Sequence, residues 1–271
     1  MFTWRPLPSQ LDARVRRLRY HDEGHGYDRF GLHPDGVARG LAITLPLYRH
    51  WFRVQSHHFE RAQGLSQAIF AANHSGTLPL DAMMIWADVL HQSDPPTALR
   101  VVIDHFVNQL PVFNLLFARA GAIGGSRANV ANVLSRGESM LVFPEGVPGI
   151  TKPYAHRYRL QRWRPGHAEL AIRHRVPIVP VAVIGAEEQL PTLLKLPLRV
   201  FGSPFVPLPA APFPLPVRYH IWYGEPLPIH ERYPPGAAKD PEALDEAAGT
   251  VRDAVQALIV HGLARREGVF Q

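Results

Sequence analysis

The chain has 271 residues, 46% of them hydrophobic and 19% charged, with a net charge of +6 and no cysteine. That length buries one sizeable core, and the balance excludes both a disordered chain and a polytopic membrane protein. Without cysteine there are no disulfides, cysteine–zinc sites or thiol nucleophiles. The basic residues are mostly arginine, with lysine only at 152, 195 and 239, and the charge suits an anionic lipid surface or a phosphorylated substrate. Zinc-finger spacings, RNA-binding signatures and long basic tracts do not occur, so nucleic acid is not an expected partner.

In chain order, residues 1–35 read as an N-terminal extension. Its start, "MFTWRPLPSQLDARVRRLRY", lacks the apolar centre of a secretory signal and is expected to be retained. "HDEGHGYD", from His21 to Asp28, has a metal-like composition but no regular element to fix a coordination geometry, so no metal site is expected. No run reaches the roughly 18–20 uninterrupted apolar residues of a membrane span. Residues 36–54, "GVARGLAITLPLYRHWFRV", come nearest, but Arg39, Pro46, Arg49 and His50 interrupt them. With Trp51 and Phe52 beside arginines, this segment predicts an amphipathic helix lying in a membrane interface. The same pattern fits an amphipathic helix packed on the domain.

From residue 55 to 265 short apolar runs alternate with amphipathic stretches, the pattern of an α/β domain. His57 and His58 read as a polar connection into the first strand. Strands are expected at 68–72, 99–103, 140–143, 178–184 and 217–223, and helices at 80–90, 111–119, 127–135 and 166–174. The helix at 127 is well punctuated: Ser126 caps it, Val130, Val133 and Leu134 form its stripe, and Gly137 takes the left-handed C-terminal position. Residues 190–216, "LPTLLKLPLRVFGSPFVPLPAAPFPLP", carry too much proline for regular ladders and predict an irregular lobe able to touch lipid. The last helix, 241–265, starts from Asp240 as cap and repeats Leu244, Ala248, Val251, Val255, Leu258 and Ile259 at helical spacing. The sum is a single α/β domain with a mixed, mostly parallel central sheet flanked by helices.

The chemistry concentrates in "AANHSGTLPLDA", residues 71–82, where an apolar run ends in Asn73-His74-Ser75-Gly76 and Asp81 follows. A second turn of this style, "LVFPEGVPG", closes the run at 140–143. Both lie at the C-terminal ends of strands, where open α/β sheets place their ligand crevices. A histidine aimed by a carboxylate is half of a nucleophilic triad. No G-x-S-x-G elbow supplies the nucleophile, so the histidine is expected to activate a hydroxyl of the substrate itself.

"NHSGTLPLD", "GAIGGSRAN", "LVFPEG" and "VPIVPVAVIG" resemble, in order, the four blocks of the glycerolipid (lysophospholipid) acyltransferase superfamily, of 1-acylglycerol-3-phosphate acyltransferase type. "KPYAHRYRLQRWRPGHAELA", "GAEEQLP" and "YGEPL" look like its bacterial branch, allied to monoacylglycerol and diacylglycerol acyltransferases. The resemblance covers about residues 27–265. It implies a glycerol-3-phosphate acyltransferase-like fold and transfer of a fatty acyl group to a glycerolipid or lysophospholipid hydroxyl. Acyl-CoA or acyl carrier protein would be the co-substrate, with no other cofactor and no metal. His74 would be the general base and Asp81 its orienting partner. Glu145 and Gly146 would bind the acceptor. Arg127 would meet a phosphate of acceptor or donor, with Ser126, Lys152, Arg157 and Arg159 as further phosphate or CoA contacts. The expected location is peripheral, on the cytoplasmic face of a lipid membrane.

Two departures stand out. Six residues separate His74 from Asp81, against four in the family's commonest first block. After Glu145-Gly146, Val147 and Pro148 replace the threonine and the phosphate-binding arginine usual in the third, which favours a neutral or unusual acceptor. Two other readings stay open: an acyl-thioesterase in which His74 activates water, and a catalytically silent lipid-binding protein of the same fold.

Overall fold

In the computed structural model, residues 7–75, 78–104, 112–150, 152–196 and 206–271 are described. The first helices are α1 (Ser9–Arg16) and α2 (Pro34–Pro46), the latter ending in a π-helical turn, Leu47–Trp51. Strands β1 (Gln55–His57) and β2 (Ile69–Ala72) lead to α3 (Leu80–Gln92), β3 (Arg100–Ile103), α4 (Phe113–Arg119) and β4 (Ile123–Gly124). Then come α5 (Arg127–Ser135), β5 (Met140–Val142), the short α6 (Val147–Ile150), α7 (Gly166–His174) and β6 (Ile178–Ile184). Strands β7 (Thr192–Leu196), β8 (Val206–Pro209) and β9 (His220–Tyr223) precede α8 (Ile229–Arg232) and the long α9 (Pro241–Arg265).

Among the described residues seven strands form one sheet, in the order β1-β9-β6-β2-β5-β3-β4. Every pairing is parallel except β6 with β9. This is the mixed, mostly parallel sheet expected from the sequence. Strands β2, β6 and β9 are buried at every position, because helices cover both faces. Alternate residues of each central strand serve opposite layers. Phe70 and Ala72, with Val179, Val181 and Val183, pack toward α3 through Met84, Ile85 and Leu90. Ile69, Ala71, Ile178, Ala182 and Ile184 pack toward α7 and α9 through Ala168, Ala171, Val251, Val255 and Ile259.

Residues 7–35 join this core through Val15, Leu18 and Leu32, all buried. Asp28 pairs with the fully buried Arg100 guanidinium, which Glu138 holds from its other side. Both expected helix caps form: Ser126 Oγ accepts from Asn129 N at 3.2 Å and Asp240 Oδ1 from Glu242 N at 3.0 Å.

Three expectations fail. Residues 36–54 are not one helix. Proline lacks the amide that would continue the i→i−4 ladder, and beyond Pro46 the chain widens until Phe52 N donates to Leu47 O at 2.8 Å. Residues 55–57 are not a loose connection but an edge strand paired with β9, with His57 stacked on Trp222 at 3.9 Å. The proline-rich lobe does carry a regular ladder, β7 against β8, with Lys195 opposite Pro207 and Thr192 opposite Pro209. A two-stranded ribbon accepts proline because alternate amides point away from the partner. Residues 197–205 of that lobe, and Pro111 before α4, lie outside the described residues.

Candidate active site

Strand register brings the two sequence motifs together. In the parallel β2–β5 pair Ala71 lies opposite Val142, so the residues three beyond each, His74 and Glu145, leave the sheet side by side. The exit from β2 is fixed by Asn73, whose buried amide copies a peptide group. Its Oδ1 accepts from Val183 N at 2.7 Å and its Nδ2 donates to Val183 O at 3.0 Å, carrying the ladder to β6 past the strand's end.

Helix α3 begins at Leu80 and places Asp81 beneath the histidine. His74 Nδ1 lies 2.7 Å from Asp81 Oδ2. The carboxylate is fully buried and also accepts Ser75 N at 2.9 Å and Ala82 N at 2.7 Å. A carboxylate so held is an acceptor, so Nδ1 carries the proton and Nε2 keeps a free lone pair. The longer His74–Asp81 spacing is therefore compatible with the pair: the loop returns the carboxylate to the ring. Phe143 stacks on the imidazole at 4.1 Å. His74 lines a cavity of about 1070 Å³, at the upper edge of ordinary ligand pockets (~300–1,000 Å³). Its walls are largely apolar: Ile43 of α2, Met83 and Trp86 of α3, and Phe113, Leu116 and Phe117 of α4.

Glu145 lies behind the histidine rather than among the cavity's lining residues. It is buried; its Oε1 accepts His74 N at 3.1 Å and its Oε2 accepts Gln161 N at 2.8 Å. Lys152, also buried, bridges Glu145 at 3.3 Å and Glu187 at 3.0 Å. Glu187 in turn accepts Tyr158 N at 3.0 Å. Burial pushes the Glu187 carboxyl up, while the Lys152 ammonium pulls it down. Gly149 closes this layer. A Cβ there would lie 2.8 Å from Glu145 Cβ and 3.2 Å from His74 Cβ, so only glycine lets the turn lie against both.

The expected phosphate contacts separate. Arg127 and Gly146 line the cavity with His74. Arg127 extends into solvent, 92% exposed, 3.9 Å from Glu169, and Ser126 serves as helix cap. Lys152 is enclosed by its two carboxylates. Arg157 approaches Glu188 at 3.7 Å and covers the Tyr154 ring, while Arg159 is exposed; neither lines the cavity. Residues 190–191 and 208–216 of the proline-rich lobe do not line it either; α4 does. The sequence reading passed over Asn73, Gly149, Glu187 and Arg164, which lines the cavity beside Gly146. Asn73, Arg164 and Glu187 lay inside the sequence motifs without a role, and Gly149 stood out as a third glycine-or-proline position after Glu145. Among the described residues no group of three His, Asp or Glu side chains could hold a metal ion.

Residues 53–184 match the family described as Acyltransferase. An uncharacterized protein of Mycobacterium tuberculosis is 34% identical over 261 residues, covering 91% of this chain and 72% of that one. The chain belongs to the glycerolipid acyltransferase superfamily. This acyltransferase is also 28% identical over 216 residues to a Bos taurus "DGAT1/2-independent enzyme synthesizing storage lipids", covering 77% of this chain and 60% of that one. The fold of the acyltransferase is that of the 1-acyl-sn-glycerophosphate acyltransferase PlsC from Thermotoga maritima. The two align with a TM-score of 0.55 at 16% identity over 85% of this chain and 83% of that one.

Proposed function

We propose that the enzyme moves a fatty acyl group from an acyl thioester, acyl-CoA or acyl carrier protein, to the hydroxyl of a glycerolipid acceptor, with His74 as general base. The observation that carries this is the His74–Asp81 contact of 2.7 Å at the mouth of an apolar cavity. With Nδ1–H directed at Asp81, Nε2 takes the acceptor's hydroxyl proton as its oxygen attacks the thioester carbonyl. The C–O bond forms, the tetrahedral oxyanion collapses, and the C–S bond breaks. The imidazolium returns the proton to the departing thiolate. Asp81 stabilises the imidazolium between these steps without itself taking the proton. Glu145, Lys152 and Glu187 act behind the ring, holding its backbone rather than touching the acceptor.

The acyl chain lies along the wall formed by α2, α3 and α4. That cavity opens beside exposed apolar side chains: Val112 is 70% exposed, Phe113 56% and Leu115 58%, with Ile43 and Leu78 nearby on its rim. No helix among the described residues is long and apolar enough to cross a membrane. The exposed apolar side chains of α4 and the rim of α2 dock in the interface, and the oily acceptor enters without crossing water. A thioester donor drawn from the cytoplasm places that docking on the cytoplasmic face.

Thiol release from palmitoyl-CoA on vesicles carrying one acceptor at a time tests the reading, and a chain without cysteine gives no thiol background. Release that requires monoacylglycerol, diacylglycerol or a lysophospholipid identifies the acceptor. Release at one rate with and without every acceptor would make the enzyme a thioesterase and end the proposal.

A further inference from the structure

We propose that Arg164 is the anion-gripping side chain of this site, holding a substrate phosphate beside the catalytic turn; the identity of that substrate rests on the acyl-transfer reading. The third sequence block lacks its usual arginine, and the candidates nearest in sequence are engaged or displaced. Lys152 is enclosed between Glu145 and Glu187, and Arg157 and Arg159 lie outside the cavity.

Arg164 has the opposite character: a fixed backbone and an uncommitted head group. Its N–H donates to Pro144 O at 3.0 Å, in the turn that carries Glu145. Its carbonyl accepts His167 Nδ1–H at 3.0 Å. The guanidinium Cζ stands 3.7 Å from where a Cβ on Gly146 would be, an ordinary packing distance, so the head group lies against the turn that Gly146 makes at φ +58°. Three residues on, a Cβ on Gly149 would lie 3.2 Å from His74 Cβ, so the turn also runs close to the histidine. The turn is thus sandwiched between the histidine and the guanidinium, and Arg164 lines the same cavity as His74.

Of the other arginines that line the cavity, Arg39 of α2 and Arg127 of α5 are exposed, and two are held by other groups. Arg119 donates to Gly31 O and lies over the Tyr27 ring, and Arg173 pairs with Glu169 at 2.8 Å. Arg164 has no carboxylate partner among the described residues. An acyl chain needs no such charge. A planar guanidinium fork matches a phosphate, which can accept two parallel N–H bonds from it. Two substrate parts offer that chemistry: the phosphates of coenzyme A and the phosphate of a glycerolipid headgroup.

Calorimetric titration of the full chain separates them without turnover. The probes are coenzyme A against pantetheine, and glycerol 3-phosphate against glycerol. The proteins are wild type, Arg164→Gln, Arg164→Lys, and Arg162→Gln, which removes an exposed pair with Asp245 outside the cavity. Arg164→Gln weakens one phosphorylated probe about 10- to 100-fold, Arg164→Lys weakens it less, and Arg162→Gln leaves it unchanged. The probe affected identifies donor or acceptor. Equal affinities in wild type and Arg164→Gln, equal losses for pantetheine or glycerol, or no binding of either phosphate by the wild type would overturn the proposal. If Arg164→Gln loses its thermal transition, Arg164→Lys decides: no selective weakening of a phosphorylated probe overturns it. A wild type that binds coenzyme A through Arg164 yet transfers no acyl group would defeat the proposed function and leave this inference standing.

Discussion

Glu145 Oε1 accepts the backbone N–H of His74 at 3.1 Å, joining the loops that leave two neighbouring parallel strands. His74 is therefore located twice: its ring by Asp81 and its backbone by Glu145. Each anchor makes a different prediction.

Replacing Asp81 by Asn keeps the side chain's size but leaves one oxygen where Ser75 N and Ala82 N use Oδ2 and Oδ1 separately, and it removes the charge that fixes the tautomer. The acyl-transfer kcat falls by roughly 10² to 10⁴, while the KM for acyl-CoA moves little. Steady-state kinetics with the preferred acceptor check both values. A variant within twofold of wild type would show that the imidazole needs no orienting carboxylate.

Gly149→Ala inserts a methyl group 2.8 Å from Glu145 Cβ and 3.2 Å from His74 Cβ. One of them must move, and a displacement of order 1 Å costs about 10²-fold in rate. The expected result is a protein that still unfolds cooperatively but turns over about a hundredfold more slowly. Full activity would mean the turn relaxes away from the histidine.

Lys152→Met leaves Glu145 and Glu187 buried without their shared cation. Breaking such a pair costs about 3–5 kcal/mol, and the double variant Lys152→Met/Glu187→Gln recovers part of it. Urea unfolding of the three proteins reads this directly. If the single variant unfolds at the wild-type midpoint, the cluster is not holding the turn.

Much of this was legible beforehand. The central strands announced themselves because burial on both faces demands continuous apolar runs: "IVPVAVI" is β6 to the residue. Caps at Ser126 and Asp240 marked the starts of α5 and α9. His74 and Asp81 were visible as residue types at a strand's mouth, but whether six intervening residues close or open the pair depends on where α3 begins. Arg164 and Glu187 fell inside the stretches "KPYAHRYRLQRWRPGHAELA" and "GAEEQLP", but nothing local gave either a role. Their neighbours Pro144, Gly146 and Lys152 are distant in sequence, and only the fold brings them close. The β7–β8 ribbon was missed because proline content argues against a central strand and says little about a two-stranded one.

Acid weakens the fold through its histidines. Burial pushes His167 down to about 4, and burial with the neighbouring His57 does the same to His220. Their ordinary value is 6.5, so as pH falls below it the unfolded chain takes protons that the folded chain refuses. Stability is unaffected by them above that value, declines as pH falls toward 4, and levels below it. Urea midpoints across this range should drop steadily. His167→Asn keeps an Nδ donor for the Arg164 carbonyl and should flatten part of the slope; a slope unchanged by it would remove His167 from the account.

Phe113→Asp with Leu115→Asp places two charges on the most exposed apolar stretch of α4. Co-sedimentation with anionic vesicles should fall about tenfold or more, since charged side chains are costly in a lipid interface. Because both residues also line the cavity, transfer from a short, water-soluble acyl-CoA should fall too, but by less than vesicle binding. Undiminished vesicle binding would move the docking surface elsewhere.

The central claim is that His74 carries a proton from a lipid hydroxyl to a departing thiol. Thiol released and ester formed, counted in the same vesicle reaction for wild type and His74→Ala, test it most directly. The account predicts one ester for each thiol in the wild type, and both reduced by about 10³-fold or more in the variant. Thiol without ester, or a variant that keeps the wild-type rate, would contradict it.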